Sequence, residues 1–512
     1  MSTEIELKLL LDKAGEARLR AVARRLAEAA PVETRLHAIY HDTADHALAR
    51  RRIALRVRKE GRRWVQTVKA GRGFTAGLST VEESSCPAPS GRLALDRIPD
   101  APMRDAVLAA VGEDALAPVF ETDMRRTAFR FRRPEGVVEL ALDVGEIRAN
   151  GHAAALAEAE LELLEGAPTA VYGVAQGLFS EGPIRFSRRT KAERGYALAA
   201  GGVAVADPPP PVTAGPLTLA PDQTTEAAAR DVLSACLEQI AGNVAAAALS
   251  DAPEGPHQLR IGLRRLRTAA AVFRPALGGP RLDALAEAAQ KLAAAAGAAR
   301  DLDVLAEEQI APLAAEDPGF PRLLAALAGA RAEARTALRA RLAAPETQAF
   351  LFDLGAFVVG RGWLRQSDYA QTGALAAPVA ETAARAVEGR WRKAAKLGAR
   401  IATLEGEARH DLRKALKKLR YSVEFFESLW PAKRLRPFLK ALKALQDDFG
   451  ALQDEATAGA ILRAPGAPGA DDPAASRAAG FALGFRRAEA ERAWAHVQAD
   501  WAALAERRKP WR

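Results

Sequence analysis

The 512-residue chain has only two cysteines, Cys86 and Cys236, far apart in the sequence. Two cysteines build neither a disulfide framework nor a cysteine-based zinc site, and a reducing compartment suits such a chain. Histidine is scarce too: the seven residues form no cluster of the kind that holds catalytic zinc. Neither a Gly-x-Ser-x-Gly elbow nor a Walker-type loop occurs, which removes two common routes to hydrolysis. Long apolar runs are missing. Alanine-rich stretches such as 292–296 are short and flanked by charge, so no segment is expected to span a bilayer and no membrane partner is expected. Met1-Ser2-Thr3-Glu4 lacks the apolar core of a signal peptide, so the expected location is cytoplasmic.

What is present is an ordinary globular balance, 49% apolar and 27% charged, with a formal net charge of +9. A basic surplus favours anionic partners. Aromatics make up 6% and rarely interleave the basic stretches, so base stacking on nucleic acid is poorly supported. Four consecutive prolines, Pro208 to Pro211, sit in a stretch that favours an extended spacer. They divide the chain into an expected first domain (1–200), a linker (201–220) and a second domain (221–512).

Before the prolines, charged and apolar residues alternate. Glu4, Glu6 and Lys8 share one strand face, opposite Ile5, Leu7 and Leu9. Glu158, Glu160 and Glu162 do the same on another strand, and Arg56 and Arg58 share a third. Lys69 ends a further apparent strand, 64–69, and Arg126, Asp143 and Lys191 are read in additional strand-like segments. Residues 13–30 and 168–180 read as helices. The expectation is an α+β domain with an antiparallel sheet closed into a barrel. Acids alone or cations alone would destabilise its interior, but together they suit a highly charged ligand. Clustered glutamates supply the oxygen donors that Mg²⁺ or Mn²⁺ prefer. Arginine and lysine would hold phosphate oxygens, and hydrolysis at a terminal phosphorus follows naturally.

After the prolines the texture is helical, with apolar residues recurring at three and four. One motif occurs twice. His257-x-x-Arg260-x-x-x-Arg264-Arg265-x-Arg267 recurs 153 residues later as His410-x-x-Arg413-x-x-x-Lys417-Lys418-x-Arg420. Leu259, Leu263 and Leu266 match Leu412, Leu416 and Leu419, and Asp301 matches Asp454. The expectation is an all-α bundle, duplicated about a pseudo-twofold axis. Offsets of 0, 3, 7 and 10 gather the cations on one helical stripe, which repels itself unless an anion neutralises it. The ten basic motif residues are therefore candidate ligands for a chain of phosphates. Asp301, Asp303 and Asp454 are expected to pair with motif arginines and hold them in place.

These residues carry a resemblance. Glu4-Ile5-Glu6-Leu7-Lys8 resembles the ExExK signature of the CYTH family, the triphosphate tunnel metalloenzymes. Tyr40–Thr43, Arg51–Arg58, Leu140–Ile147, Glu158–Leu163 and Lys191–Tyr196 extend it in order across residues 1–200. The resemblance implies an eight-stranded antiparallel tunnel that binds triphosphate with divalent metal. Glu4, Glu6, Glu158, Glu160 and Glu162 would serve as metal ligands or place water. Lys8, Arg56, Arg58, Lys69, Arg126 and Lys191 would bind phosphate, with Asp143 assisting metal or water. Residues 220–512 resemble the CHAD family, through His257–Arg260, Arg300–Leu305, Lys417–Tyr421 and Leu452–Asp454. That resemblance implies inorganic polyphosphate binding, with location at polyphosphate granules. The CYTH-then-CHAD order implies hydrolysis of inorganic triphosphate to diphosphate and phosphate. A non-catalytic scaffold, and a tunnel acting on an organic triphosphate as adenylate cyclases and thiamine triphosphatases do, stand as alternatives. No oligomeric state is implied.

Overall fold

The computed structural model describes residues 2–180, 182 and 184–512. The chain forms two compact units. One is Met1–Val212 with Ile240–Ser250 and Leu342–Gly362; the other is Thr213–Gln239 with Asp251–Arg341 and Trp363–Arg512.

The strands of the first unit are β1 (Ser2–Leu10), β2 (Val32–Asp42), β3 (Ala54–Glu60), β4 (Arg63–Thr75), β5 (Leu78–Pro87), β6 (Ala117–Arg133), β7 (Gly136–Ala149), β8 (His152–Gly166) and the short β9 (Arg185–Phe186). They pair in the order β5-β4-β3-β2-β6-β7-β8-β1, and β5 pairs back onto β1. The result is a closed eight-stranded antiparallel barrel, with β9 only flanking β1. Closure leaves no open edge.

The barrel is inside-out. Leu7 and Leu9 of β1, Leu140 and Leu142 of β7 and Leu161 of β8 point outward and are buried under helices. Those helices are α1 (Lys13–Leu26) and, after α2 (Ala47–Arg50) and α3 (Ala101–Val111), α4 (Thr169–Leu178). Period-two alternation therefore turns every second residue, the charged set, into the lumen. Lys191 departs from expectation. It begins a helix, α5 (Lys191–Ala199), and not a strand. Thr190 caps that helix in a reciprocal box with Glu193, a pattern that outweighs local strand texture. Gly195 lets the helix close on the barrel, since a Cβ there would lie 2.1 Å from Phe120.

The remaining helices are α6 (Thr225–Leu249), α7 (Glu254–Val272), α8 (Arg274–Leu277), α9 (Pro280–Asp303), α10 (Gly319–Ala343), α11 (Pro345–Val359), α12 (Tyr369–Ala376), α13 (Val379–Gly398), α14 (Gly406–Phe425), α15 (Ala432–Leu462) and α16 (Pro473–Glu506). One sequence expectation is corrected here. By length and composition α6 is apolar enough to cross a membrane; 72% of its most apolar window is buried within the protein.

The repeat is visible in three dimensions. Thr225 N–H donates to Ala377 C=O at 2.8 Å, and Val379 N–H donates to Gln223 C=O at 2.8 Å, a reciprocal pair. Phe273 and Phe426, 153 positions apart, touch edge to face at 5.9 Å. Residues that meet their own repeat partners mark a pseudo-twofold axis. Leu259, Leu263 and Leu266 of α7 and Leu412, Leu416 and Leu419 of α14 are buried, which turns the basic positions between them toward the remaining helix faces.

Candidate functional site

The barrel lumen is a cavity of about 960 Å³. Glu4, Glu6 and Lys8 line it from β1, Arg56 and Arg58 from β3, and Lys69 from β4. Arg126, Asp143, Glu160 and Glu162 line it from β6, β7 and β8, and Lys191 enters from the first turn of α5. Register explains the convergence. Lys8 lies opposite Glu160, Arg126 opposite Asp143, and Asp143 opposite Glu158.

Opposite charges interlock. Lys8 Nζ is 2.8 Å from Glu6 and 3.0 Å from Glu160. Arg126 grips Asp143 bidentately, Nε–Oδ1 2.8 Å and Nη2–Oδ2 2.6 Å, and reaches Glu160 at 2.7 Å. Lys191 lies 2.7 Å from Asp143 and 3.0 Å from Glu160, and also pairs with Glu158. Lys69 pairs with Glu4 and, at 3.0 Å, with Glu83. Arg56 donates to the Tyr40 hydroxyl at 3.2 Å, and Arg58 Nε donates to Glu60 at 2.6 Å.

Burial opposes charge on Lys8, but Glu160 and Glu6 outweigh it and hold the lysine well above its usual range. Arg126 is raised likewise, burial being overcome by Asp143, and so is Lys191, again through Asp143. Burial would raise Glu160, yet Lys191, Lys8 and Arg126 drive it well below the ordinary carboxylate range. At Glu162 burial and the neighbouring Glu4 outweigh Lys69 and push the carboxyl up to about 7.

The structure sorts the expected metal set. Among the described residues, Asp143, Glu158 and Glu160 bring carboxylate oxygens within 4.8 Å of one another. Glu4, Glu6 and Glu162 do not join that group; Glu162 instead senses the charge of Glu4 and Glu6. Glu158 is fully buried and its Oε2 has no hydrogen-bond partner. Three hard oxygen donors with one orphaned oxygen fit a divalent cation. Sequence reading missed Glu83 and Tyr40 as lumen residues. Glu83 shares the lumen face of β5 with Val81, in a stretch where Glu82 to Ser85 are all polar and no apolar–charged alternation like that of β1 marks the face.

In the second unit a different cluster forms. Arg260 Nη1 bonds Asp301 at 2.6 Å. Arg264, Arg413 and Lys417 have neighbours of their own sign. Burial, then Arg264, lowers Arg413 to about 10. Burial, then Arg413, Arg264 and Arg260, lowers Lys417 to about 7. His257 and His410 flank the group, both lowered by burial and adjacent cations.

Five expectations change here. Arg265 is buried, 4% exposed, donating to Gln239 at 2.7 Å beneath the Phe425 ring, so it faces away from the cluster. Arg267 turns to Gln290 at 2.8 Å, and Arg420 to Gln446 and Glu424. Lys418 points instead toward Arg390, Lys393 and Arg267. Asp303 pairs with Arg331 and Arg335, both at 2.9 Å, and with no motif arginine. For Arg265 and Lys418 the cause is shared: each follows a cluster residue by one position, and at 100° per residue it points to a different face.

Comparison with known proteins gives two families. Residues 2–196 match the CYTH domain and residues 231–463 the CHAD domain. An inorganic triphosphatase of Haemophilus influenzae is 29% identical over 160 residues, 31% of this chain. The chain spans 44% of the length of that curated relative. The crystal structure of the CHAD domain from the plant Ricinus communis is similar at 30% identity and a TM-score of 0.52, covering 59% of this chain and 98% of that one.

Proposed function

Since this chain belongs to the CHAD family and carries a CYTH domain at its N-terminus, we propose that it hydrolyses inorganic triphosphate to diphosphate and phosphate in the barrel while its helical unit binds inorganic polyphosphate. The observation that carries the first half is the lumen's interlocked charge. A triphosphate would take over the cations that the carboxylates now hold. Arg126, Lys191 and Lys8 would transfer hydrogen bonds from carboxylate to phosphate oxygens, and Arg56 and Arg58 would add further donors.

Asp143, Glu158 and Glu160, freed by that exchange, would hold a divalent cation, Mg²⁺ or Mn²⁺ by their oxygen chemistry, with Glu4 and Glu6 at hand. When bound, the cation supplies charge neutralisation and polarises phosphoryl oxygens. The closed barrel wall would surround the phosphates with these preorganised donors, which strengthens each contact. Glu162, held near neutrality in its proton affinity, is placed to exchange a proton inside the lumen.

Phosphate release from triphosphate with Mg²⁺ or Mn²⁺ tests this reading. Turnover abolished by a chelator is the expected result; binding without release would make the tunnel a non-catalytic holder. One observation favours a second substrate class. Leu36, Ile53 and Met124 also line the cavity, leaving an apolar region suited to an organic triphosphate. Parallel assays with ATP and thiamine triphosphate separate the two. For the helical unit, the converging Arg260, Arg264, Arg413 and Lys417 support polyphosphate binding. Such a protein would work in the cytoplasm at polyphosphate deposits, a location that imaging with a fluorescent fusion checks.

A further inference from the structure

The two halves of the helical repeat differ at one place. The reciprocal hydrogen bonds at Thr225 and Val379 set α6 and α13 in correspondence, with 379 − 225 = 154 residues between equivalent positions. Val232 and Cys236 on α6 are fully buried. Their counterparts on α13 are Ala386 and Arg390. One side chain has been shortened and the other replaced by a cation.

Beside them is a cavity of about 270 Å³. That is room for about nine waters at ~30 Å³ each. Val272, Phe273, Pro275 and Ala377 form apolar walls, with Ala386 and Gly389 of α13 facing them. At its polar end Thr225 donates to Ala377 C=O at 2.9 Å, and the Thr382 hydroxyl lies 2.8 Å from Thr225. Arg385 and Arg390 stand at the cavity wall. Among the described residues neither arginine has a hydrogen-bond or ion-pair partner. Burial lowers Arg390, and no acid offsets it. Arg390 also belongs to a set of cations, with Lys393, Arg267 and Lys414, that lowers Lys418 after burial.

A half-buried guanidinium without a counter-charge is unfavourable, and an anion removes the penalty. A bare inorganic anion would use the cations and leave the apolar space empty. A ligand with both features satisfies both. We propose that this cavity is a separate binding site for a small amphipathic anion: a carboxylate or phosphate monoester whose oxygens meet Arg390 and Arg385 while a compact apolar group fills the space beside Phe273, Ala386 and Gly389. It stands apart from the cluster around Arg264 and Lys417 and does not depend on the function proposed for it.

Calorimetric titration of the full chain tests this, with phenyl phosphate and benzoate as probes of the two head groups. Saturable one-to-one binding of either supports the site, and the tighter probe names its head group. Inorganic phosphate should bind at least about tenfold more weakly than phenyl phosphate, a difference of ~1.4 kcal/mol. Equal affinity for both would overturn the proposal, because the apolar cavity would then contribute nothing. Gly389→Leu should fill the cavity and weaken phenyl phosphate at least about tenfold. A Cβ at Gly389 meets no atom within 4 Å, so the variant should fold. Arg390→Gln should weaken both probes by a similar factor. Unchanged binding in either variant, with an unchanged unfolding midpoint and normal triphosphate hydrolysis as controls, would sink the idea.

Discussion

The two units gather cations in opposite ways. In the barrel, Lys8, Arg126 and Lys191 each face at least two carboxylates and are held above their ordinary proton affinity. In the helical unit burial first, and then neighbouring cations, hold Arg264, Arg413 and Lys417 below it. The first arrangement already pairs these cations with carboxylates, so a phosphate chain would have to exchange partners with them. The second keeps a like-charge crowding that Asp301 and Asp454 offset only in part, and a polyanion would relieve it. The direction of the shift therefore separates a lumen whose cations are matched by carboxylates from a helical cluster in which buried cations crowd one another.

The sharpest way to break this comparison is charge reversal. Replacing Arg260, Arg264 and Arg413 together by glutamate should abolish retention of long-chain polyphosphate in a pull-down, while triphosphate hydrolysis stays within about twofold. Simultaneous loss of both would mean the two units do not act separately. Next, Lys8→Met should lower phosphate release by roughly 10²–10³-fold. It should also lower the unfolding midpoint, because breaking a buried pair costs about 3–5 kcal/mol. Lys417→Met should do the reverse to stability. Removing a crowded cation should raise the midpoint, while polyphosphate affinity falls about tenfold through one lost charge-assisted contact. A midpoint that falls in both variants would contradict the contrast.

Titration separates the units further. Folding lowers Lys417 from 10.5 to about 7. Between those values the unfolded chain holds more protons, so stability rises with pH. The penalty of this cation is complete below pH 7 and gone above pH 10.5. A bound polyanion restores the proton. Polyphosphate affinity should therefore weaken from pH 7 toward pH 9, with proton uptake measurable by calorimetry in buffers of different ionisation heat. The barrel lysines, raised by their carboxylates, keep their charge across the same range. The smallest effect is expected at Arg265→Met. That guanidinium is buried against Gln239 and Phe425, so polyphosphate affinity should change by less than about twofold.

Much of this was legible in the residues. Alternation in Glu4–Lys8 and Glu158–Glu162 announces strands with one charged face, which balance one another inside a closed barrel. The repeat of His257–Arg267 in His410–Arg420 announces the pseudo-twofold axis. Less legible were the exceptions. Lys191 reads as strand until the Thr190–Glu193 capping box is noticed. Arg265 and Lys418 occupy the same place in the repeat, yet one is buried under Phe425 and the other faces Arg390.

Sequence alone determined which side chains share a face, because the periods of strand and helix are fixed by backbone geometry. It therefore determined that acids and cations would alternate in one half and that cations would stack in the other. Only the tertiary structure decided which faces meet. Register set Lys8 against Glu160 and Asp143 against Glu158, and the packing of α7 and α14 chose which motif cations converge. Those choices depend on contacts between residues far apart in the chain, whose energies no local pattern encodes.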